Sequence, residues 1–287
     1  MGEIVNDLTF AYAEELLEDG YLVATYYLET AGNVDTLTEV AAFAEGQSAG
    51  TWTPVSGLTA EMLKRHTARV VGVYEVPPVE MTTDRPAGRR QFITQIAFPQ
   101  VNIGAQFPLL LTTLLGNEVS TSLRLKLLDL QLPRPFVQQF QGPKFGISGL
   151  RHRLSIPERP ILLNIIKPST GFGPEAGASF FEEAARGGAD IIKDDELLGD
   201  LSFNLLKNRV KIYRRIIDRV FQETGQRAAY CANVTDRPDR VFQNAKRAQD
   251  LGADLVMING IAVGLGVVRT LAEDPDVLDP DLGRTYV

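Results

Sequence analysis

The chain has 287 residues, 44% of them hydrophobic and 23% charged, with a net charge of -7 and a pI near 5.1. That length allows two domains with sizeable cores, and basic residues that are scattered rather than clustered argue against a nucleic-acid surface or attraction to an anionic membrane. A single cysteine, Cys231, excludes an internal disulfide and fits a reducing compartment.

The N-terminus, MGEIVNDLTFAYAEELLEDG, has no basic stretch leading into an apolar core, and no apolar run approaches about 18 residues, so the protein is read as cytoplasmic. YLVATYYLET predicts a strand and VDTLTEVAAFAEG a helix. ARVVGVYEV and RQFITQIAF predict two more strands, FPLLLTTLLGN a short helix and SLRLKLLDLQL a closing strand. This order suits a ferredoxin-like α+β domain, helices on one face of an antiparallel sheet, over residues 1–145. From Pro133 to Pro160 the chain is rich in Pro, Gly and basic residues and reads as a connector.

The pattern then changes. ILLNIIK, Ile161 to Lys167, is a continuous apolar run of the kind buried on both faces of a parallel sheet. GFGPEAGASFFEEAARGG follows as a helix with Pro174 near its first position, and Phe180, Phe181, Ala184 and Ala185 on one face. ADIIK is a second strand. Leu206, Val210, Tyr213, Ile217 and Val220 mark a longer helix closed by Gly225. AAYCAN, the helix DRPDRVFQNAKRAQDLG, ADLVMIN and the helix GVVRTLAED complete a βα series. GGADIIK and LGADLVM recur two units apart, the mark of a repeat.

Successive βα units suit a doubly wound sheet or a (β/α)8 barrel. KPSTGFG is a poor dinucleotide fingerprint. The predicted strand ends carry Lys167, Lys193 with Asp195 and Glu196, Asn233 and Asn259, and catalytic groups of barrels gather at strand C-terminal ends. A full barrel takes about 250 residues. Residues 146–287 therefore read as about its first four βα units, in a chain truncated at its C-terminal side.

KDDE, Lys193 to Glu196, has two readings from its residues alone. Acids at a first helical turn are favoured by the helix dipole. Alternatively, oxygens from adjacent acids suit a hard cation such as Mg²⁺, which also disfavours the protonated form of a nearby lysine and makes it a base.

NIIKPSTGFGPE followed by GGADIIKDDE resembles the start of the catalytic barrel of the RuBisCO large chain and the RuBisCO-like proteins. The likeness continues in YLVATYYLE, AGTWT, LLGNEVSTSLRLKLLDLQLP, FQGPKFGISGLRHRL and AYCANVT, in family order. The resemblance implies that Lys193 takes up CO2 as a carbamate and, with Asp195 and Glu196, holds Mg²⁺, while Asp194 is not a ligand. It implies that Lys167 handles protons, that Asn117 reaches a neighbouring subunit's metal site, that Thr51 and Trp52 contact substrate phosphate, and that Asn233 contacts substrate. Active sites shared between two chains imply a homodimer. By chemistry alone Asn117 is equally a helix-end cap and Asn233 a turn former, Cys231 is a small core residue, and His66 and His152 receive no role.

Three departures point to the RuBisCO-like branch (form IV). Ser169 stands where carboxylases carry the second lysine of KPK, AEGQSAGTWT has one residue more than the usual AESSTGTWT, and VMINGIAVGLG lacks the histidine and acid of the fourth carboxylase strand. The expected function is a Mg²⁺-dependent enzyme forming a metal-bound enediolate from a phosphorylated keto compound. It would be an enolase or tautomerase of the diketo-methylthiopentyl-phosphate type, or a sugar-acid phosphate decarboxylase. The alternatives are true ribulose-bisphosphate carboxylation, or an inactive fragment or binding partner.

Overall fold

The computed structural model describes residues 13–50, 55–77, 88–116, 124–142 and 145–277. The chain divides into two compact units, Met1–Phe140 and Gln141–Val287.

The first unit is an antiparallel sheet in the order β2-β3-β1-β4, built from β1 (Tyr21–Ala31), β2 (Arg69–Glu75), β3 (Arg89–Pro99) and β4 (Arg124–Gln131). Strand alternation divides its two faces. Leu22, Ala24, Tyr26 and Leu28 of β1 join the main core with residues of α2 (Thr36–Gly46) and α4 (Phe107–Leu115), whereas Tyr21 and Val23 meet Leu16 of α1 (Ala13–Glu18) on the other face. The Tyr26 hydroxyl, carried on the buried face, donates to the Leu114 carbonyl at 3.0 Å and anchors the end of α4. Between them α3 (Ala60–His66) is capped by Thr59, whose hydroxyl accepts from the Met62 amide. The antiparallel α+β organisation expected from the sequence is the one observed.

The segment read as a connector contains two helices, α5 (Arg134–Val137) and α6 (Gly146–Leu154). The correction has a packing cause. Leu150 and Leu154 of α6 lie against Ile191, Ala229, Cys231 and Leu255 in the second unit, so burial of one helical edge overrides a glycine-rich, basic composition.

The second unit is a parallel sheet in the order β5-β6-β7-β8, made of β5 (Leu163–Ile165), β6 (Ile191–Lys193), β7 (Ala229–Asn233) and β8 (Leu255–Met257). Helices α7 (Pro174–Arg186), α8 (Leu206–Thr224) and α9 (Pro238–Asp250) connect them, and α10 (Gly260–Val263) and α11 (Leu265–Glu273) follow β8. Phe181, Tyr213 and Tyr230 form an aromatic cluster that seats α7 and α8 on β7, the first two stacked with centroids 4.3 Å apart. Tyr230 and Ala232 face the helices; Ala229, Cys231 and Leu255 face the other side with Ile191. This is the alternating burial of a parallel α/β sheet.

Two expectations about burial are corrected. ILLNIIK is not buried on both faces: only Leu163–Ile165 is strand, and Leu162, Leu163 and Ile165 are 56%, 46% and 37% exposed, with Ile166 alone buried. Among the described residues β5 is an edge strand hydrogen-bonded only to β6, so one of its sides has no strand partner. Of the four α7 residues expected on the buried face, Phe181 and Ala185 are buried and Ala184 packs against the core, whereas Phe180 is 40% exposed; the buried stripe runs through Pro174, Gly177, Phe181 and Ala185.

The recurring GAD phrase is one anchoring device used twice. Gly188 and Gly252 take φ of +83° and +100°, a left-handed conformation open to glycine, and turn the chain from helix into strand. The following alanine amides bond back to the helix, Ala189 to the Ala184 carbonyl at 3.2 Å and Ala253 to that of Ala248 at 2.9 Å. Each aspartate then accepts from the backbone of the neighbouring strand segment, Asp190 from the Leu162 amide at 2.8 Å and Asp254 from the Tyr230 amide at 3.1 Å. Arginines close both devices: Arg159 grips Asp190 bidentately with two 2.7 Å bonds, and Arg153 reaches Asp254 at 3.0 Å.

The hydrogen bonds from Arg159 hold the Asp190 carboxyl below its ordinary range against the opposing effect of burial. Since the folded value is the lower one, this stabilisation is present at neutral pH and is lost as the pH falls through the unfolded value of about 3.9 and on towards the folded one. Urea midpoints taken between neutral pH and about pH 3 should therefore fall more steeply for the wild type than for Asp190→Asn. Parallel pH profiles would show that the pair adds nothing specific.

Candidate active site

Parallel strands deliver their polar ends to one edge of the sheet, and here the register does so residue by residue. Ile165 pairs with Lys193, Lys193 with Cys231, Cys231 with Leu255 and Asn233 with Met257. Lys193 closes β6, Asn233 closes β7 and Met257 closes β8, all at C-terminal strand ends. The loop after β6 carries Asp195 and Glu196, and Lys167 follows β5, preceding a cis proline.

Two lysine–carboxylate pairs form at this edge. Lys193, only 9% exposed, places its Nζ 2.6 Å from Glu196 Oε1; Lys167 reaches Asp195 Oδ2 at 2.5 Å. Lys193 Nζ also donates to the Asp194 carbonyl at 3.3 Å and lies 3.2 Å from Met257 Sδ, while Lys167 Nζ donates to Ser169 Oγ at 3.1 Å. Burial pushes the Asp195 carboxyl up, but hydrogen bonds from Lys167, the Leu197 amide and Ser169 outweigh it and leave the group below its ordinary range. The hydrogen bond from Lys193 likewise holds Glu196 down. Both acids are thus anionic at neutral pH.

Asp194 goes the other way. It is fully buried on the helix side of the sheet, where it accepts from Arg209 Nε at 3.0 Å, Tyr230 OH at 2.8 Å and the Asn233 amide at 3.0 Å. Burial raises its carboxyl above the ordinary value against the pull of Arg209, the Asn233 amide and Tyr230. The alternation of strand side chains accounts for the split: Lys193 and Asp194 point to opposite faces.

Asn233, expected to contact substrate, is engaged by the protein's own backbone. The side chain is fully buried, its amide nitrogen donating to the Asp195 and Glu196 carbonyls at 3.1 and 3.0 Å and its oxygen accepting from the Thr235 amide at 3.0 Å. Its amide nitrogen holds the acid-bearing loop through two backbone carbonyls, while its oxygen serves the turn after β7. Asn259 caps α10, accepting from the Ala262 amide at 3.1 Å. The thiol of Cys231 is pushed up to about 12, first by burial and then by Asp194, which leaves it an inert core group. His66 lies in the first unit, its Nδ1 2.5 Å from Asn102 Oδ1. Thr51, Trp52 and Asn117 lie outside the described residues.

Among the described residues no three His, Cys, Asp or Glu side chains converge as a metal site. The donor set nevertheless suits a hard cation: two ionised carboxylates on adjacent residues, each now satisfied by an ammonium group. A carbamate on Lys193 would add a third carboxylate-type donor.

Sequence reasoning missed Arg209, Tyr230 and Met257. Met257 was detectable, since it occupies the position of Lys193 in the second GAD phrase and shares a face with Asn233. Arg209 also left a signal, an arginine three residues after Leu206 on the apolar stripe of α8.

The chain is similar to known proteins over most of its length. The family model for the ribulose bisphosphate carboxylase large chain, catalytic domain, matches residues 146–277, and that for its N-terminal domain matches residues 11–136. A ribulose bisphosphate carboxylase-like protein of Archaeoglobus fulgidus is 43% identical over 277 residues, 96% of this chain and 63% of that protein. A 2,3-diketo-5-methylthiopentyl-1-phosphate enolase of Bacillus licheniformis is 36% identical over 93% of this chain and 64% of its own length. The crystal structure of a rubisco-like protein from Alicyclobacillus acidocaldarius superposes with a TM-score of 0.78 at 33% identity, covering 90% of this chain and 62% of that one. The chain thus spans a little under two thirds of the length of the relatives it matches.

Proposed function

The chain belongs to the ribulose bisphosphate carboxylase large-chain family, and on that premise we propose that it acts as a RuBisCO-like enolase on a phosphorylated keto compound. The observation that carries the reading is the paired arrangement of Lys193 with Glu196 and Lys167 with Asp195 at the ends of adjacent parallel strands.

Removing a proton beside a carbonyl leaves negative charge on oxygen, so the site needs a base and a fixed positive charge near that oxygen. Lys167 is the proton carrier of the proposal. It is the more exposed of the two lysines, and Ser169 and Asp195 hold its Nζ between two acceptors. Asp195, Glu196 and a carbamate on Lys193 would hold Mg²⁺, which when bound supplies the positive charge that enolisation requires. Met257 gives Lys193 a thioether neighbour beside the Glu196 carboxylate. A second copy of the chain is proposed to complete the site through Asn117, Thr51 and Trp52, which makes the working unit a homodimer in the cytoplasm.

The test uses the purified protein in D2O with Mg²⁺ and bicarbonate, offered 2,3-diketo-5-methylthiopentyl-1-phosphate and a panel of phosphorylated keto-sugars. Loss of the proton signal next to the carbonyl is followed by NMR. The wild type should exchange that proton and Lys193→Ala should not. Failure of every substrate to exchange, or equal exchange by the variant, overturns the reading.

A further inference from the structure

Two chemically identical acids stand side by side at positions 194 and 195, and something in the fold must decide which one faces the site. A slip of one residue at the end of β6 would exchange them, because alternate side chains point to opposite faces.

Arg209 stands on the first turn of α8 without solvent exposure. Its guanidinium touches the whole length of the loop that follows β6. Nε donates to Asp194 Oδ2 at 3.0 Å and lies 3.3 Å from Tyr230 OH. Nη1 reaches the Asn204 carbonyl at 3.0 Å, Asn204 Oδ1 at 2.9 Å and the Gly199 carbonyl at 3.4 Å; Nη2 reaches the Leu198 carbonyl at 3.3 Å. Asn204 is itself held, donating to the Phe172 carbonyl at 2.9 Å. Beginning, middle and end of the loop therefore converge on one rigid fork, a geometry an ammonium group cannot reproduce.

We infer that Arg209, acting through Asp194, is a positioning residue that fixes the register of the β6 loop, so that Asp195 and Glu196 and not Asp194 are presented at the strand edge. Stability alone does not account for such a pair, because a buried ion pair is often replaceable by well-packed neutral groups without loss. What a neutral replacement lacks is the simultaneous hold on Asp194, Leu198, Gly199 and Asn204. The inference rests on the reading of Asp195 and Glu196 as a cation site, and its test separates the two.

Three forms of the full chain are compared: wild type, Arg209→Lys, and the double variant Asp194→Asn with Arg209→Met, whose asparagine oxygen still accepts from Tyr230 and the Asn233 amide. Urea midpoints report folding, Mn²⁺ binding by EPR with ¹³C-bicarbonate reports the cation site, and amide hydrogen exchange reports the loop without any metal. The double variant should keep a midpoint near that of the wild type, bind Mn²⁺ about tenfold or more weakly, as outer groups around metal ligands do, and exchange amides of residues 195–204 faster while β7 stays protected. Arg209→Lys should show the same loop-confined loss of protection. Unchanged loop protection in whichever variant folds overturns the positioning role. A wild type that binds no Mn²⁺ overturns the cation site instead, and loop exchange still decides for or against Arg209.

Discussion

Arg209→Ala is expected to lower the unfolding free energy by about 3–5 kcal/mol, the range for removing one partner of a buried pair, read from urea denaturation at neutral pH. The loss has three sources. Asp194 stays fully buried without its cation, the Leu198 and Asn204 carbonyls lose a donor, and the space of the side chain empties beneath α8. Tyr230 and the Asn233 amide still bond to Asp194, and a buried carboxylate left unpaired neutralises by taking up a proton, which bounds the cost. Against a total stability of about 5–15 kcal/mol this is a large fraction.

The comparison that gives the number meaning is Arg186→Ala. Arg186 pairs with Glu182 and Glu223 at 2.8 and 2.6 Å, distances no worse than those of Arg209, yet Arg186 and Glu223 are exposed and Glu182 is only partly buried. Exposed pairs contribute about 0–1 kcal/mol. Arg186→Ala should therefore be nearly silent where Arg209→Ala is not. Equal effects at the two positions would mean that burial is not what makes the Asp194 network strong.

The same contrast between exposed and buried surroundings explains what was legible in the sequence. The 4-3-4-3 spacing from Leu206 to Val220 predicts α8 because that helix has a core on one side only, and the buried residues observed fall on that stripe. The repeated GAD phrase predicts a repeated structure because a left-handed glycine and a strand-anchoring aspartate are local requirements, met by nearby chain. ILLNIIK misleads because an apolar run records what a strand can bury, and the cover on either side of it is not a local property. At the site, Asp194 is set apart from Lys193 in the sequence only through the family resemblance, and strand parity supplies the physical reason. Neither reveals that the Asn233 side chain would be taken up by the Asp195 and Glu196 carbonyls, since that depends on how a loop folds back across β7. Arg209 was masked by its residue type: on an exposed helix face an arginine needs no partner, and only its place on the apolar stripe calls for one.

Lys167→Ala should cut enolisation, measured as solvent exchange of the proton beside the carbonyl, by about 10²–10⁴-fold, the usual contribution of a placed proton carrier. Divalent cation binding should survive the change. The lysine side chain is 62% exposed, so its loss opens no cavity, and Asp195 keeps the Leu197 amide at 3.0 Å to fix its orientation. Removing the ammonium from Asp195 Oδ2 also removes a competitor for the carboxylate, so Mn²⁺ should bind at least as well as to the wild type. Lys193→Ala should differ in kind: on the proposed reading it loses the carbamate donor and with it both binding and exchange. The two variants thus separate proton transfer from cation binding, which a single loss of activity cannot do. Retention of exchange by Lys167→Ala within a few-fold would move the proton-carrying role to another residue; loss of Mn²⁺ binding would show that the Lys167–Asp195 pair supports the cation site rather than working beside it.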